Sequence, residues 1–318
     1  MFLLRGLAVS FSTFFLVYVA LSAAVAAGSK GILAFCSSWK SQRRVADFLC
    51  WVRLFPLSAA GLVTLLVVVP SFVLLDPRVE SEQIYALPIV LGSAGLGLFL
   101  FGLWNAAAAA ARTARVVRVW SSGAQAVSGN VPVPVFLMAR EVLPPCAIAG
   151  IVRPAVYVSP AAAAALSSAE MQSVIRHEVI HGSRFDNLRK LLFRICAFPG
   201  MTGLETGWAE ATEVAADDAA VSSAGEALDL AAALVKISRL IAKSSCEAEI
   251  ELAMALVHPG KALPARVQRL VEWRRPEPEA PRKRAPYLSA LLGVFACVLL
   301  YGPILAGAHA ATEWLIQQ

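Results

Sequence analysis

Two of the four histidines in the chain, His177 and His181, lie four residues apart, and Glu178 follows the first of them. In a helix, residues at positions i and i+4 project from one face about one turn apart. Two imidazoles at this spacing can bind one zinc ion, and the glutamate can reach a water on the open coordination position and act as a general base. Motifs this short also occur by chance, so the surrounding sequence decides how this one is interpreted.

The residues before the motif predict the start of a helix. Ser167 followed by Glu170 is a capping-box pattern, in which the two side chains satisfy backbone N–H groups at a helix N-terminus. From there to about Ile195, Gly182 is the one residue that disfavours a helix. We therefore expect a single long helix that carries the motif one to three turns from its start.

A catalytic zinc site needs a third protein ligand and keeps its fourth position for water. The acidic run from Glu210 to Asp218 offers candidates on a second predicted helix. Glu213 and Asp217 are again four residues apart, so one carboxylate can bind the metal while the other accepts a hydrogen bond from a ligating imidazole. Glu210 competes with Glu213 for the ligand role, and a solvated acidic helix face is the simpler alternative.

The composition is too apolar for an ordinary soluble protein, since 58% of the 318 residues are hydrophobic and 16% are charged. Four stretches are long enough to cross a bilayer as helices, at about 7–27, 55–75, 85–111 and 287–308. The first stretch could instead be a signal peptide, but its length and the basic loop after it favour a retained helix. We expect the more polar segment 112–285 to form a separate domain that contains the motif.

Basic residues predict the orientation in the membrane. The loop 28–54 carries five Lys or Arg, whereas the loop 76–84 carries one beside three acids. With alternating helices, every basic cluster falls on one side, which the positive-inside rule assigns to the cytoplasm. We expect a multi-pass plasma-membrane protein with the domain 112–285 in the cytoplasm and a short extracytoplasmic tail within 286–318. The net charge of +6 then reflects topology and contact with anionic lipids, not nucleic acid binding.

Three extended segments before the motif predict a small sheet. The segment 131–138 contains two prolines, which suits an edge strand, and 143–150 with 154–160 resembles a hairpin. A free edge of this sheet beside the metal could hold a substrate backbone by strand addition, although packing alone would also explain the sheet. Further helices are predicted at 228–242, 249–257 and 263–273.

Together these residues resemble a known group, the BlaR/MecR-like M56 membrane zinc peptidases. The similarity extends from Pro145, Gly150 and Pro154 through the histidine motif to Arg184, Asp186 and Leu188, and on to Glu213 and Asp217. Three membrane helices before the domain and one after it also resemble this family. The resemblance implies an α-helical integral membrane protein with four transmembrane helices and an α+β, zincin-like metallopeptidase domain in the cytoplasm.

The resemblance also implies roles for individual residues. The Zn²⁺ ligands would be His177, His181 and Glu213. Glu178 would activate water, Asp217 would bind a histidine, and Asp186 matches a family position with a supporting role beside the ligands. Arg266 is a candidate for assisting the oxyanion. Manganese or iron would also suit two imidazoles, a carboxylate and an open site, so the identity of the metal stays open.

Members of this family relay an outside signal by cleaving a cytoplasmic repressor, often after cutting themselves. The resemblance therefore implies a zinc endopeptidase of regulated proteolysis or signal transduction that cleaves a protein substrate, for example a DNA-binding repressor. Sensor members continue into a large extracellular domain, whereas this sequence stops about ten residues past the fourth span. We therefore expect sensing to depend on a separate protein, the outer loop or the lipid bilayer.

Two other functions remain open at this point. The M48-type membrane peptidases of protein quality control share the histidine motif and a downstream Glu-x-x-x-Asp. The third hypothesis is a non-enzymatic signalling scaffold stabilised by metal. An inert member would be expected to have lost Glu178, which this chain retains.

Overall fold

The computed structural model is mostly helical and contains one small sheet. It describes residues 2–75, 86–127, 132–140, 144–196, 198–243, 254–255, 262–274 and 301–314. The chain divides into two compact units. One unit consists of Met1–Gly28, Val52–Gly102 and Glu277–Gln318, and the other consists of Ser29–Trp51 and Leu103–Pro276.

Three helical stretches are long and apolar enough to cross a membrane. They are α1 (Phe2–Ser37), the stretch Gln42–Leu75 and α4 (Ala86–Ser121). The stretch Gln42–Leu75 comprises α2 (Gln42–Val63), a π-helical turn (Thr64–Val68) and α3 (Val69–Leu75). Large apolar side chains on them are exposed, as a lipid environment allows: Trp104 is 72% exposed and Leu66 55%. The predicted spans 7–27, 55–75 and 85–111 fall on these stretches. The predicted fourth span, 287–308, lies outside the described residues except for 301–308, which are helical.

Glycines bring α1 and α4 into direct backbone contact. A Cβ atom at Gly92 would lie 2.7 Å from the carbonyl oxygen of Ala8, and one at Gly95 would clash with the carbonyl oxygen of Phe11. Ser12 Oγ adds a buried hydrogen bond to the carbonyl oxygen of Pro88 across the same interface, at 2.9 Å. Small residues are the usual means by which membrane helices approach closely, because lipid leaves little hydrophobic driving force between them.

The sheet has five strands in the order β1-β2-β4-β3-β5. They are β1 (Gln125–Val127), β2 (Val135–Leu137), β3 (Cys146–Ala149), β4 (Ala155–Val158) and β5 (Met254–Ala255). The predicted hairpin is confirmed, since β3 and β4 pair in antiparallel register. Strand β3 is paired on both sides, with β4 on one side and β5 on the other. Ala147 and Ile148 therefore do not lie on a free edge, and the edge strands among the described residues are β1 and β5. The helix predicted over 249–257 is wrong at 254–255, which form β5.

The described residues of the second unit form six further helices. They are α5 (Pro160–Ala165), α6 (Ser168–Ser183), α7 (Asp186–Ile195), α8 (Thr202–Ala220), α9 (Ala224–Lys243) and α10 (Ala262–Val271). The predicted capping box is confirmed: Ser167 Oγ accepts from the Glu170 N–H, and the Ser167 N–H donates to Glu170 Oε2. The single helix expected to continue to Ile195 is wrong, because Phe185 takes a left-handed conformation with φ of 57° between α6 and α7.

The motif helix α6 lies in the interior of this unit and contacts β3, β4, α8 and α9. Its apolar residue Val174 packs with Ile148 of the sheet and with Leu230 and Leu234 of α9 in one buried cluster. Burying a side chain of this size contributes roughly 1.5–3 kcal/mol. Since the helix is covered on several sides, its polar residues that face α8 are also removed from water.

Candidate metal centre

Two imidazoles and one carboxylate converge where α6 faces α8. The Nε2 atoms of His177 and His181 are 3.1 Å apart. Glu213 places Oε2 at 3.6 Å from the first nitrogen and Oε1 at 3.6 Å from the second. All three residues are buried, and their donor atoms are close enough together to hold one metal ion.

Carboxylates behind the histidines determine which ring nitrogens face the metal position. Asp186 Oδ2 lies 2.8 Å from Nδ1 of His181, and Asp217 Oδ1 lies 3.0 Å from Nδ1 of His177. A carboxylate at Nδ1 favours a proton there and leaves a lone pair on Nε2. Two such lone pairs 3.1 Å apart repel each other unless a cation lies between them. Tetrahedral zinc would hold two nitrogens roughly 3.3 Å apart, so the donor set fits a zinc ion.

Asp217 and Glu213 stabilise positive charge on His177. Burial alone would lower the pKa of the imidazole, but hydrogen bonding and charge from Asp217 and Glu213 outweigh burial and raise the pKa to about 9. A proton or a metal ion can supply this positive charge. The two cations therefore compete for the same nitrogen, as expected of a metal ligand.

Glu178 is held by one of its two oxygens. Its Oε2 accepts a hydrogen bond from the main-chain N–H of Ile148 at 2.8 Å. Its Oε1 is buried and has no hydrogen-bond partner among the described residues. Burial raises the pKa of this carboxyl group, although the two histidines and the Ile148 N–H oppose the rise. Glu178 is thus a carboxylate that is fixed by one oxygen, while its other oxygen is not engaged in a hydrogen bond within the described residues, which suits a general base.

Arg266 connects the acids of the centre. Its Nε and Nη2 each lie 2.7 Å from an oxygen of Asp217, and its Nη1 lies 2.9 Å from Oε2 of Glu213. Burial alone would raise the pKa of both carboxyl groups, but the guanidinium charge outweighs it and, with the histidines, lowers the pKa of Glu213 to about 2 and also that of Asp217. Both acids therefore stay ionised. Arg266, which the sequence suggested as a residue that assists the oxyanion, is thus directed at these two carboxylates.

The structure separates the two carboxylates that compete in the sequence for the third ligand. Glu213 lies in the donor cluster, whereas Glu210 is exposed and lines a cavity of about 490 Å³ that Arg266 also lines. The difference follows from helix geometry, because residues three apart on α8 point about 60° away from each other.

Two groups near the centre escaped sequence reasoning. The N–H of Ile148 could not be assigned to Glu178, since the contact joins residues 30 positions apart. Lys190 interacts electrostatically with Glu213, Asp186 and Glu178, and burial lowers its pKa. The sequence feature that could have indicated Lys190 is its position one turn after Asp186 on α7, because residues four apart share a helix face.

No known protein family, curated protein or solved structure matches this chain. The chemistry of the centre is therefore the basis for inferring a function.

Proposed function

We propose that this protein is an integral-membrane zinc endopeptidase that cleaves protein substrates at the cytoplasmic face. The observation that carries the proposal is the arrangement of Glu178 beside three metal-binding side chains, His177, His181 and Glu213. A metal-stabilised scaffold would need the three ligands. It would not need a buried carboxylate beside them whose second oxygen makes no hydrogen bond within the described residues. This oxygen therefore favours hydrolysis over a purely structural metal site.

The residues of the chain have separate tasks in this reaction. A bound zinc ion supplies Lewis acidity toward the substrate carbonyl and toward water. Glu178 takes a proton from the attacking water on Oε1 and returns it to the leaving amine nitrogen, while the Ile148 N–H keeps Oε2 in place. Asp186 and Asp217 hold the imidazole rings in orientation.

The cellular role follows from the membrane helices and from the resemblance to the BlaR/MecR-like peptidases. The three candidate spans support a membrane location, and the basic loop 28–54 favours a cytoplasmic location for the domain that follows. We propose regulated proteolysis of a cytoplasmic protein, such as a DNA-binding repressor, under the control of a separate sensor. Quality control of membrane proteins is the competing role for the same chemistry.

The test compares protein N-termini in cells that express the wild type or Glu178→Gln. Glutamine can still accept a hydrogen bond from the Ile148 N–H, so the centre should stay intact. It cannot take a proton from water, so the general base is lost. Glu210→Gln, the same substitution at an exposed position of α8, is the matched control. New N-termini with the wild type and the control, and none with Glu178→Gln, would support a protease and identify its substrates.

The identity of those substrates separates the cellular roles. A cleaved transcriptional repressor supports signalling, whereas cleaved misfolded membrane proteins support quality control. Identical N-termini in all three strains, with zinc bound to each purified protein, would contradict the proposed peptidase activity.

A further inference from the structure

We infer that Arg266 is a positioning residue that holds Glu213 as a metal ligand and so sets the metal affinity of the centre. The inference rests on the proposed function, because it assumes that His177, His181 and Glu213 bind zinc. Sequence considerations suggested Arg266 only as an oxyanion donor.

The geometry around Arg266 is that of a fork joining two carboxylates. Nε and Nη2 bind both oxygens of Asp217, and Nη1 binds Oε2 of Glu213. The charge-assisted, bidentate contact fixes Asp217 in orientation as well as in distance, whereas Arg266 holds Glu213 by a single ion-pair contact at 2.9 Å. The remaining oxygen of Glu213, Oε1, faces Nε2 of His181. Arg266 therefore selects the direction in which the carboxylate meets the metal position.

The same guanidinium acts on the first histidine through Asp217. That carboxylate lies between Arg266 and Nδ1 of His177, with 2.7 Å to the guanidinium and 3.0 Å to the imidazole. One side chain thus supports two of the three ligands, one directly and one through Asp217. All of these groups are buried, so solvent screening is weak and their mutual orientation is tightly coupled.

Arg266 comes from α10, 49 residues after Asp217 in the chain. Helices α6 and α8 therefore carry the proposed ligands, and α10 carries the residue that orients Glu213. A second arginine of α10, Arg269, binds the neighbouring Asp218 at 2.6 Å. That pair is partly exposed, and among the described residues no hydrogen bond or ion pair joins it to His177, His181 or Glu213. It is a natural control, since it links the same two helices by the same kind of ion pair.

The experiment measures zinc affinity in the purified, detergent-solubilised full chain by competition with a fluorescent zinc chelator. Arg266→Gln should weaken zinc binding about 10- to 100-fold, the usual effect of removing a partner of a metal ligand. Arg266→Lys should fall between this variant and the wild type, because an ammonium group keeps the charge but cannot bridge both carboxylates. Arg269→Gln should change the affinity by less than about threefold.

Thermal unfolding of the metal-free proteins separates positioning from folding. The inference predicts that Arg266→Lys is folded without metal and still binds zinc more weakly than Arg269→Gln. Wild-type zinc affinity in a folded Arg266 variant overturns the inference. Loss of the folded state in both Arg266 variants, with Arg269→Gln intact, also overturns it, because Arg266 would then be purely structural.

The outcome for the wild type separates this inference from the proposed function. A wild-type chain that binds no zinc refutes the metal centre itself. Tight zinc binding, together with identical N-termini in cells that express the wild type or Glu178→Gln, refutes the peptidase activity and leaves the role of Arg266 standing.

Discussion

Ile148 and Glu178 are joined by a hydrogen bond of 2.8 Å from the main-chain N–H of β3 to a carboxylate oxygen of α6. The bond fixes the carboxylate relative to the sheet as well as to its own helix. It also leaves Oε1 of Glu178 as the oxygen available for proton transfer. The sheet therefore contributes to the candidate centre through its backbone, although none of its side chains is a proposed metal ligand.

Glu178→Gln should abolish peptidase activity while zinc remains bound. General-base catalysis contributes about 10²–10⁴ in rate, so we expect a loss of that order. Glutamine fills the same volume and can still bind the Ile148 N–H, so the zinc affinity should change little. Cleavage of an identified substrate and zinc stoichiometry, measured on one preparation, test both statements. A variant that loses its zinc would contradict this division of roles.

Asp186→Asn should weaken zinc binding by about 10- to 100-fold. The carboxylate contacts Nδ1 of His181 at 2.8 Å, and an amide in its place accepts a weaker hydrogen bond. The matched control is Asp47→Asn, because Asp47 binds Arg189 at 2.9 Å and has no ion pair or hydrogen bond with a histidine among the described residues. Chelator competition should show the loss for Asp186→Asn only. Equal losses in both variants would assign the effect to Arg189, which lies 3.8 Å from Asp186 as well as 2.9 Å from Asp47.

The start of α9 should lose stability in acid. Contacts with Arg176 and Ser222 lower the pKa of Glu226 to about 2, below the unfolded value of about 4.3. Because the folded pKa is the lower one, the stabilisation is complete above about pH 4.3 and is lost as the pH falls towards 2. The free energy of unfolding of Glu226→Gln should therefore lie below that of the wild type at pH 6 and approach it at low pH.

Arg176→Gln provides the control for that titration. The guanidinium of Arg176 donates to Glu226 Oε1 at 2.6 Å and is the largest cause of the lowered pKa. In the Arg176→Gln background, the effect of Glu226→Gln on the free energy of unfolding should therefore depend less on pH. A pH dependence that is unchanged by the loss of Arg176 would contradict the assignment.

Gly150→Ala should destabilise the second unit by about 1–3 kcal/mol. Gly150 has a φ of 107°, and a Cβ atom there would lie 2.6 Å from the carbonyl oxygen of Arg153. Its own carbonyl oxygen accepts from Asn187 of α7 at 3.0 Å, so the strain would also reach the helix that carries Asp186. Gly225→Ala is the control, since its nearest neighbour would be 3.9 Å away. Chemical unfolding of both variants tests the difference.

Removing zinc should lower the thermal stability of the wild type. A ligand that binds only the folded state at 100 times its Kd stabilises it by about 2.7 kcal/mol. A chelator should therefore shift the Tm of the wild type downwards and leave a His181→Ala variant unchanged. Restoring zinc in excess should reverse the shift. A chelator effect of equal size in both proteins would indicate a metal bound elsewhere.

Local features of this protein could be predicted from the sequence, whereas contacts across long separations could not. The capping box needs only Ser167 and the residue three positions later, and the spacing of His177 and His181 fixes a shared helix face. The left-handed Phe185 had no sequence signal, because glycine and asparagine are the residues that usually adopt this conformation. The pairing of Arg266 with Asp217 depends on how α10 docks on α8, which no local pattern encodes.

The left-handed Phe185 brings two residues of the candidate centre, His181 and Asp186, together over a short stretch of chain. Helix α6 ends at Ser183, two residues after His181, the chain reverses at Phe185, and α7 begins with Asp186, whose carboxylate lies against the imidazole of His181. This short spacing leaves no room for an insertion, so length variation in related chains should be absent there even where loops elsewhere change. A protein engineer could transplant this helix–turn–helix segment as one piece, with its histidine already oriented.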